Sequence, residues 1–250
     1  MTDSTKFAKV LKTPEVIALA FGAMIGWSWV LLTGVWLTAA GTIGTLIAFC
    51  VGGLAVTLIG LTYSELAAAM PKAGGEHIYT QRALGSRWSF VCTWALLFSY
   101  VNVCMFEAVA LPSAVEYLYP DIRLGTLWNV LGSDVDLGFI LIGIGATVLV
   151  TWVNYLGIRT AAILQAVITA LIVVTGILLI SGAIAFGDAS NAQPWIATPV
   201  SGILIVLIMV PSMLIGFDVI PQSAEEIDLP PNKIGRLLIF SVACAVAWYI

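Results

Sequence analysis

The chain has 250 residues, 60% of them hydrophobic and 10% charged, with a formal net charge of −4 and a mean hydropathy of +1.05. A soluble domain carries about 25% charged residues, so this composition excludes a water-facing globule and leaves a multi-span membrane protein. The net charge says little about orientation, to which Asp and Glu contribute weakly, and no basic tract suits a nucleic-acid partner.

Met1–Thr13 is polar and bears lysines, and the apolar run behind it is too long for a signal-peptide core, so residues 1–13 read as an N-terminal segment ahead of a membrane domain at 14–250. Crossing about 30 Å of hydrocarbon takes about 20 apolar residues. Seven runs serve: Pro14–Ala40, Thr42–Met70, Ile78–Leu118, Leu137–Tyr155, Arg159–Phe186, Ser201–Ile227 and Ile234–Ile250. The third is too long for one straight crossing, and its opening section, Ile78–Arg87, is expected to abut a span proper that begins at Trp88. Tyr119–Asp136 is long enough for a short surface helix. The chain stops inside an apolar run, at Trp248-Tyr249-Ile250, which suggests the front part of a longer protein.

With the N-terminus inside, Lys6, Lys9, Lys12, Lys72, Arg82, Arg87, Arg159, Lys233 and Arg236 fall on the cytoplasmic side and only Arg123 outside, the asymmetry expected of a multi-pass protein of the plasma membrane. Trp128 and Trp195 then lie in external loops. Cys50, Cys92, Cys104 and Cys244 form no CxxC pair and read as packing residues, so no metal site or cofactor is expected.

Two spans are interrupted. The sixth contains Gly216-Phe217-Asp218-Val219-Ile220-Pro221, and an ionisable group at bilayer depth, costing about 2.5–3.5 kcal/mol on insertion scales, usually marks function. Glycine and proline there break the helix and free backbone groups for a ligand. The first span carries Gly22-Ala23-Met24-Ile25-Gly26-Trp27-Ser28-Trp29 at mid-depth. Interrupted helices five spans apart point to a midplane substrate site, although such glycines also serve close helix packing.

These segments carry a family resemblance. Gly22-Ala23-Met24-Ile25-Gly26, Tyr63-Ser64-Glu65-Leu66, Met70-Pro71-Lys72-Ala73-Gly74-Gly75, and Gly216-Phe217-Asp218 followed by Ala224-Glu225-Glu226 resemble the motifs of the amino acid–polyamine–organocation permease superfamily, in matching order over essentially the whole chain. The resemblance implies an all-α integral membrane fold, the leucine-transporter-type five-plus-five inverted repeat, here the first repeat plus the first two helices of the second. It also implies that backbone groups of Ile25, Gly26, Trp27 and Ser28 hold a substrate carboxylate. Gly216, Phe217 and Asp218 would line the amine or side-chain end, with Asp218 linked to cation recognition or protonation. Two departures stand out. Trp27-Ser28 replaces the family's common small-Gly pair, which puts an ordinary α-amino acid substrate in question. Ile172 occupies a fifth-span place where proton-coupled members often carry lysine, leaving sodium coupling, another protonatable group, or exchange.

Glu107, midway along the third span with Asn102 ahead of it, reads either as a proton-relay or amine-binding group or as an acid kept neutral by a neighbouring helix. Glu65, Glu76, Glu225 and Glu226 lie near the cytoplasmic ends. They read either as partners in inner-gate salt bridges, Glu65, Glu225 and Glu226 foremost, or as solvated interfacial charges. His77 is a possible proton carrier or an incidental loop residue. Pro112 and Pro211 are expected to kink their helices. The expected function is a permease for an amino acid or related amine, its coupling ion sodium or proton, working by alternating access among membrane lipids. The rival is an amine sensor that binds without moving its ligand. No HExxH, GxSxG or phosphate-loop motif suggests an enzyme.

Overall fold

The computed structural model describes residues 9–26 and 28–250. Trp27 and the lysine at position 6 therefore lie outside the described residues, as do the rest of 1–8 and the side chain of Ser28. The fold is mostly helical, and among the described residues four helices are long and apolar enough to cross a membrane.

Helix α1 (Thr13–Met24) has Pro14 in its first turn, and the Glu15 carboxylate accepts the Lys12 backbone N–H at 3.2 Å, satisfying a donor that the helix start leaves orphaned. It stops at Met24, and helical structure resumes at Ser28 with α2 (Ser28–Ala69). The first run is thus broken in its middle. Helix α2 is two arms folded on each other. Gly41 (φ 75°, ψ 175°) reverses the chain, the Trp36 and Phe49 rings meet at 4.9 Å, and Thr45 Oγ1 donates to Trp36 O at 3.1 Å. In one straight helix the 13 residues from Trp36 to Phe49 would span about 20 Å. Only glycine fits the bend: φ is positive, and a Cβ would lie 2.6 Å from Pro194 O.

Helix α3 (Glu76–Leu84) is separated by Gly85 from α4 (Ser86–Leu118), so the third run divides a little earlier than the sequence suggested. The segment after α4 corrects the surface-helix expectation. One 3₁₀ turn (Pro120–Ile122) leads into an antiparallel hairpin of β1 (Thr126–Val130) and β2 (Ser133–Asp136). Its two-residue turn places Leu131 and Gly132 at φ 50° and 85°, the twist that matches paired strands, and Asn129 Oδ1 accepts the Gly132 N–H at 2.9 Å. The Asp136 carboxylate then caps α5 (Leu137–Tyr155) by accepting from Gly138 N at 2.9 Å. Arg123 pairs with Glu116 at this end.

Helix α6 (Ile158–Phe186) packs on α1, with Thr169 Oγ1 donating to Ala18 O at 3.4 Å. Ile172, the residue in the lysine position, packs against the apolar core. The sixth run is broken like the first. Helix α7 (Ser201–Met213) ends in turns over 214–218, the one-turn helix α8 (Val219–Gln222) follows, and α9 (Pro231–Tyr249) closes the fold. Pro112 and Pro211 both lie inside helices, in α4 and α7. Most of the core comes from α1, α2, α7, α8 and α9.

Candidate functional site

The two interruptions touch. Gly216, at φ 121°, sits so close to the end of α1 that a Cβ would lie 2.8 Å from the Ala23 carbonyl carbon. Both helices end in carbonyl groups without intrahelical partners, and a single phenol serves them. Tyr249 Oη of α9 donates towards Met24 O at 2.9 Å and Met213 O at 3.3 Å, while its ring stacks on Phe49 at 5.1 Å.

Of the residues expected to meet a carboxylate, Ile25 is buried and Gly26 partly so; Trp27 and the Ser28 side chain lie outside the described residues. Gly26 lies against Glu107 of α4, whose Oε1 would be 2.2 Å from a Cβ at that glycine. The half-buried Glu107 thus faces the first interruption. Asn102 does not join it, but donates to Phe98 O of its own helix at 2.7 Å.

Asp218 is 7% exposed. Its Oδ2 accepts from the Tyr100 hydroxyl and lies 3.1 Å from Gln222 Nε2, whereas its Oδ1 has no hydrogen-bond partner among the described residues. Phe217 meets Tyr63 of α2 edge to face at 5.2 Å. Tyr63, Leu96, Ser99, Tyr100, Ile215, Phe217 and Asp218 line a half-open pocket of about 90 Å³. A larger groove of about 540 Å³ lies elsewhere, between α4, α5 and the hairpin, beside Glu116 and Arg123. The smaller space holds the buried acid and adjoins an interruption, which makes it the better place for recognition chemistry.

Tyr100, Gln222 and Tyr249 were not singled out from the sequence. Gln222 was within reach of sequence reasoning, since it follows Asp218 by four residues and shares its helix face. Tyr100 precedes Glu107 by seven, so one stripe of α4 addresses both interruptions.

At the α3 end the chain is tied by backbone. Val10 N and Leu11 N donate to Glu226 O at 2.9 and 3.0 Å, Asp228 N donates to Leu11 O at 2.8 Å, and Gly74 N donates to Gln222 O at 3.2 Å. Among the described residues Glu65, Glu225 and Glu226 form no ion pair; the contact at Glu226 uses its carbonyl. His77 is turned towards α4, 2.8 Å from Thr93 Oγ1 and 2.9 Å from Ser89 Oγ.

Broken helices meeting beside a buried acid, among long apolar rods, mark a multi-pass membrane protein. The sequence profile of the amino acid permease family matches residues 15–250, and the chain belongs to that family, within the amino acid–polyamine–organocation superfamily. It is similar to the branched-chain amino acid permease BcaP of Bacillus subtilis, 27% identical over 94% of this chain and 52% of the relative. It also resembles the methylthioribose transporter of the same organism, 24% identical over 100% of this chain and 55% of the relative. A third relative is human cationic amino acid transporter 4, at 26% identity over 100% of this chain and 40% of the relative. The chain spans about half the length of the curated relatives it matches.

Proposed function

We propose that the protein is a secondary permease for an amino acid or related organic amine, working by alternating access in the plasma membrane. Residues 1–13 form a cytoplasmic segment in this reading, and 14–250 cross the bilayer seven times. Substrate lies between the interruptions, its carboxylate on backbone groups of Ile25, Gly26, Trp27 and Ser28. Its amine faces Asp218, beside Gly216 and Phe217. Glu107 bears on the same space from α4. Closure at the α3 end involves the segments that carry Glu65, Glu225 and Glu226, and the coupling ion is sodium or a proton.

The observation that carries this reading is the half-satisfied Asp218. Two neutral donors hold Oδ2, and Oδ1 is buried without a partner among the described residues. A desolvated carboxylate with an open acceptor attracts a cationic group far more strongly than one in water. The relatives are named for branched-chain and cationic amino acids and for a thio-sugar, so substrate choice varies on this scaffold and has to be measured. Purified protein in vesicles is expected to accumulate at least one member of a panel of labelled amino acids and amines. Saturable binding without accumulation would favour the sensor instead.

A further inference from the structure

A second buried acid lies beside Asp218, outside the substrate site proposed above. Glu76 opens α3 and is 5% exposed. Gln222 spans the two acids: its Nε2 is 3.2 Å from Glu76 Oε2, 3.1 Å from Asp218 Oδ2 and 2.6 Å from Tyr100 Oη. A primary amide has two hydrogens, so these three contacts are made only by sharing one of them. Among the described residues Glu76 Oε1 and Asp218 Oδ1 make no hydrogen bond of normal geometry, and the Tyr63 hydroxyl adds a bond to the Glu76 carboxyl. Two acceptor atoms of the pair are thus left without a well-placed hydrogen.

Among the described residues no cation balances the pair, and neither acid forms an ion pair. The titratable groups that bear on Glu76 are Tyr63 of α2, Tyr79 of α3, Tyr100 of α4 and Asp218 between α7 and α8. Cys92 of α4 acts on Tyr63, and His77 points instead to Ser89 and Thr93. Two ionised carboxyls in one desolvated network repel each other and forfeit hydration. One proton relieves both costs by converting an acceptor into a donor.

We propose that Glu76 is a proton-binding site, and that its protonation fastens α3 to α8 beneath the second interruption. Gln222 is the hinge of that contact. Its side chain bridges the acids, while its carbonyl takes the Gly74 N–H at 3.2 Å, so the loop entering α3 and the helix following Asp218 are held through one residue. The chemistry is a simple transfer: the carboxylate takes a proton from water and returns it to water, and no other bond changes. Loss of water, reinforced by the charge of Asp218, pushes the Glu76 carboxyl up from 4.5 to about 7, which places the exchange in the physiological range. Joined to the permease reading, on which this last step rests, Glu76 carries the coupling proton and leaves Asp218 to the substrate amine.

Infrared titration of the purified protein reads a protonated buried carboxyl directly, without substrate. Wild type is expected to show such a band disappearing near neutral pH, and Glu76→Gln to lack it. A Glu76→Gln spectrum identical to wild type overturns the proposal, as does a band lost only in Asp218→Asn. If Glu76→Gln fails to fold, Glu76→Asp retains the acid and is expected to move the midpoint; an unmoved midpoint overturns the assignment equally. In vesicles, wild-type uptake is expected to follow an imposed pH gradient and Glu76→Gln uptake to ignore it; a variant that still follows it overturns the coupling role. A wild-type protein that moves no substrate would refute the permease reading and leave the infrared result standing.

Discussion

The two interruptions differ in kind. The first, at residues 25 and 26, offers backbone and a buried Ile25, and the carboxyl beside it, Glu107, comes from another helix. The second, at 214–218, carries its own acid within a polar network that reaches α3 and α4. One break thus supplies backbone groups at a helix end and the other supplies charge. That division suits a ligand with a carboxylate at one end and an ammonium at the other, provided the Glu107 carboxyl beside the first break is protonated or turned from the ligand's carboxylate.

The sharpest way to break this comparison is to remove the charge. Asp218→Asn keeps the shape and loses the anion, and uptake is expected to fall about 100-fold or more, the scale of losing one partner of a buried charge pair at about 3–5 kcal/mol. Wild-type uptake by this variant would end the assignment. Next comes the contact between the breaks. Gly216→Ala demands a positive φ from alanine and drives a Cβ to 2.8 Å from the Ala23 carbonyl carbon; backbone strain of this kind costs about 1–3 kcal/mol. Uptake is expected to drop about tenfold with a lower melting temperature, and an unchanged protein would show that the breaks need not touch.

Glu107→Gln tests the first interruption. The change is nearly isosteric, so folding is expected to hold while uptake falls severalfold or its pH profile shifts. An unaltered profile removes Glu107 from the mechanism and leaves it the structural acid that the sequence equally allowed.

Much of this architecture was legible because the bilayer imposes simple rules. Long apolar runs gave the rods, and glycine, proline and acid inside them gave the breaks. Gly41 also marked a boundary, falling between the first two runs. The hairpin at 126–136 was harder to read: its turn puts Leu131 at positive φ, where a sequence reader expects Asn, Asp or Gly. The network around Asp218 was hardest, because Tyr100 and Glu76 are 118 and 142 residues away along the chain and become neighbours only when α3 and α4 pack beside α8. Local pattern reports which residue is out of place in lipid; tertiary packing decides what answers it.

Tyr249 is the subtlest case, since it belongs to neither break and joins both. Tyr249→Phe keeps the stack on Phe49 and deletes only the hydroxyl shared by Met24 O and Met213 O. A buried carbonyl that loses its donor costs about 1–3 kcal/mol, but waters admitted to the open helix ends can recover part of that. Apparent affinity is therefore expected to weaken only about two- to fivefold, with a melting temperature a few degrees lower. The informative comparison is with Asp218→Asn. If Tyr249 aligns the two breaks, its loss raises KM and leaves most of kcat, because the charge remains in place while its partner backbone drifts. A variant with full affinity and a reduced maximal rate would mean instead that the hydroxyl times the movement of the half-helices rather than their alignment.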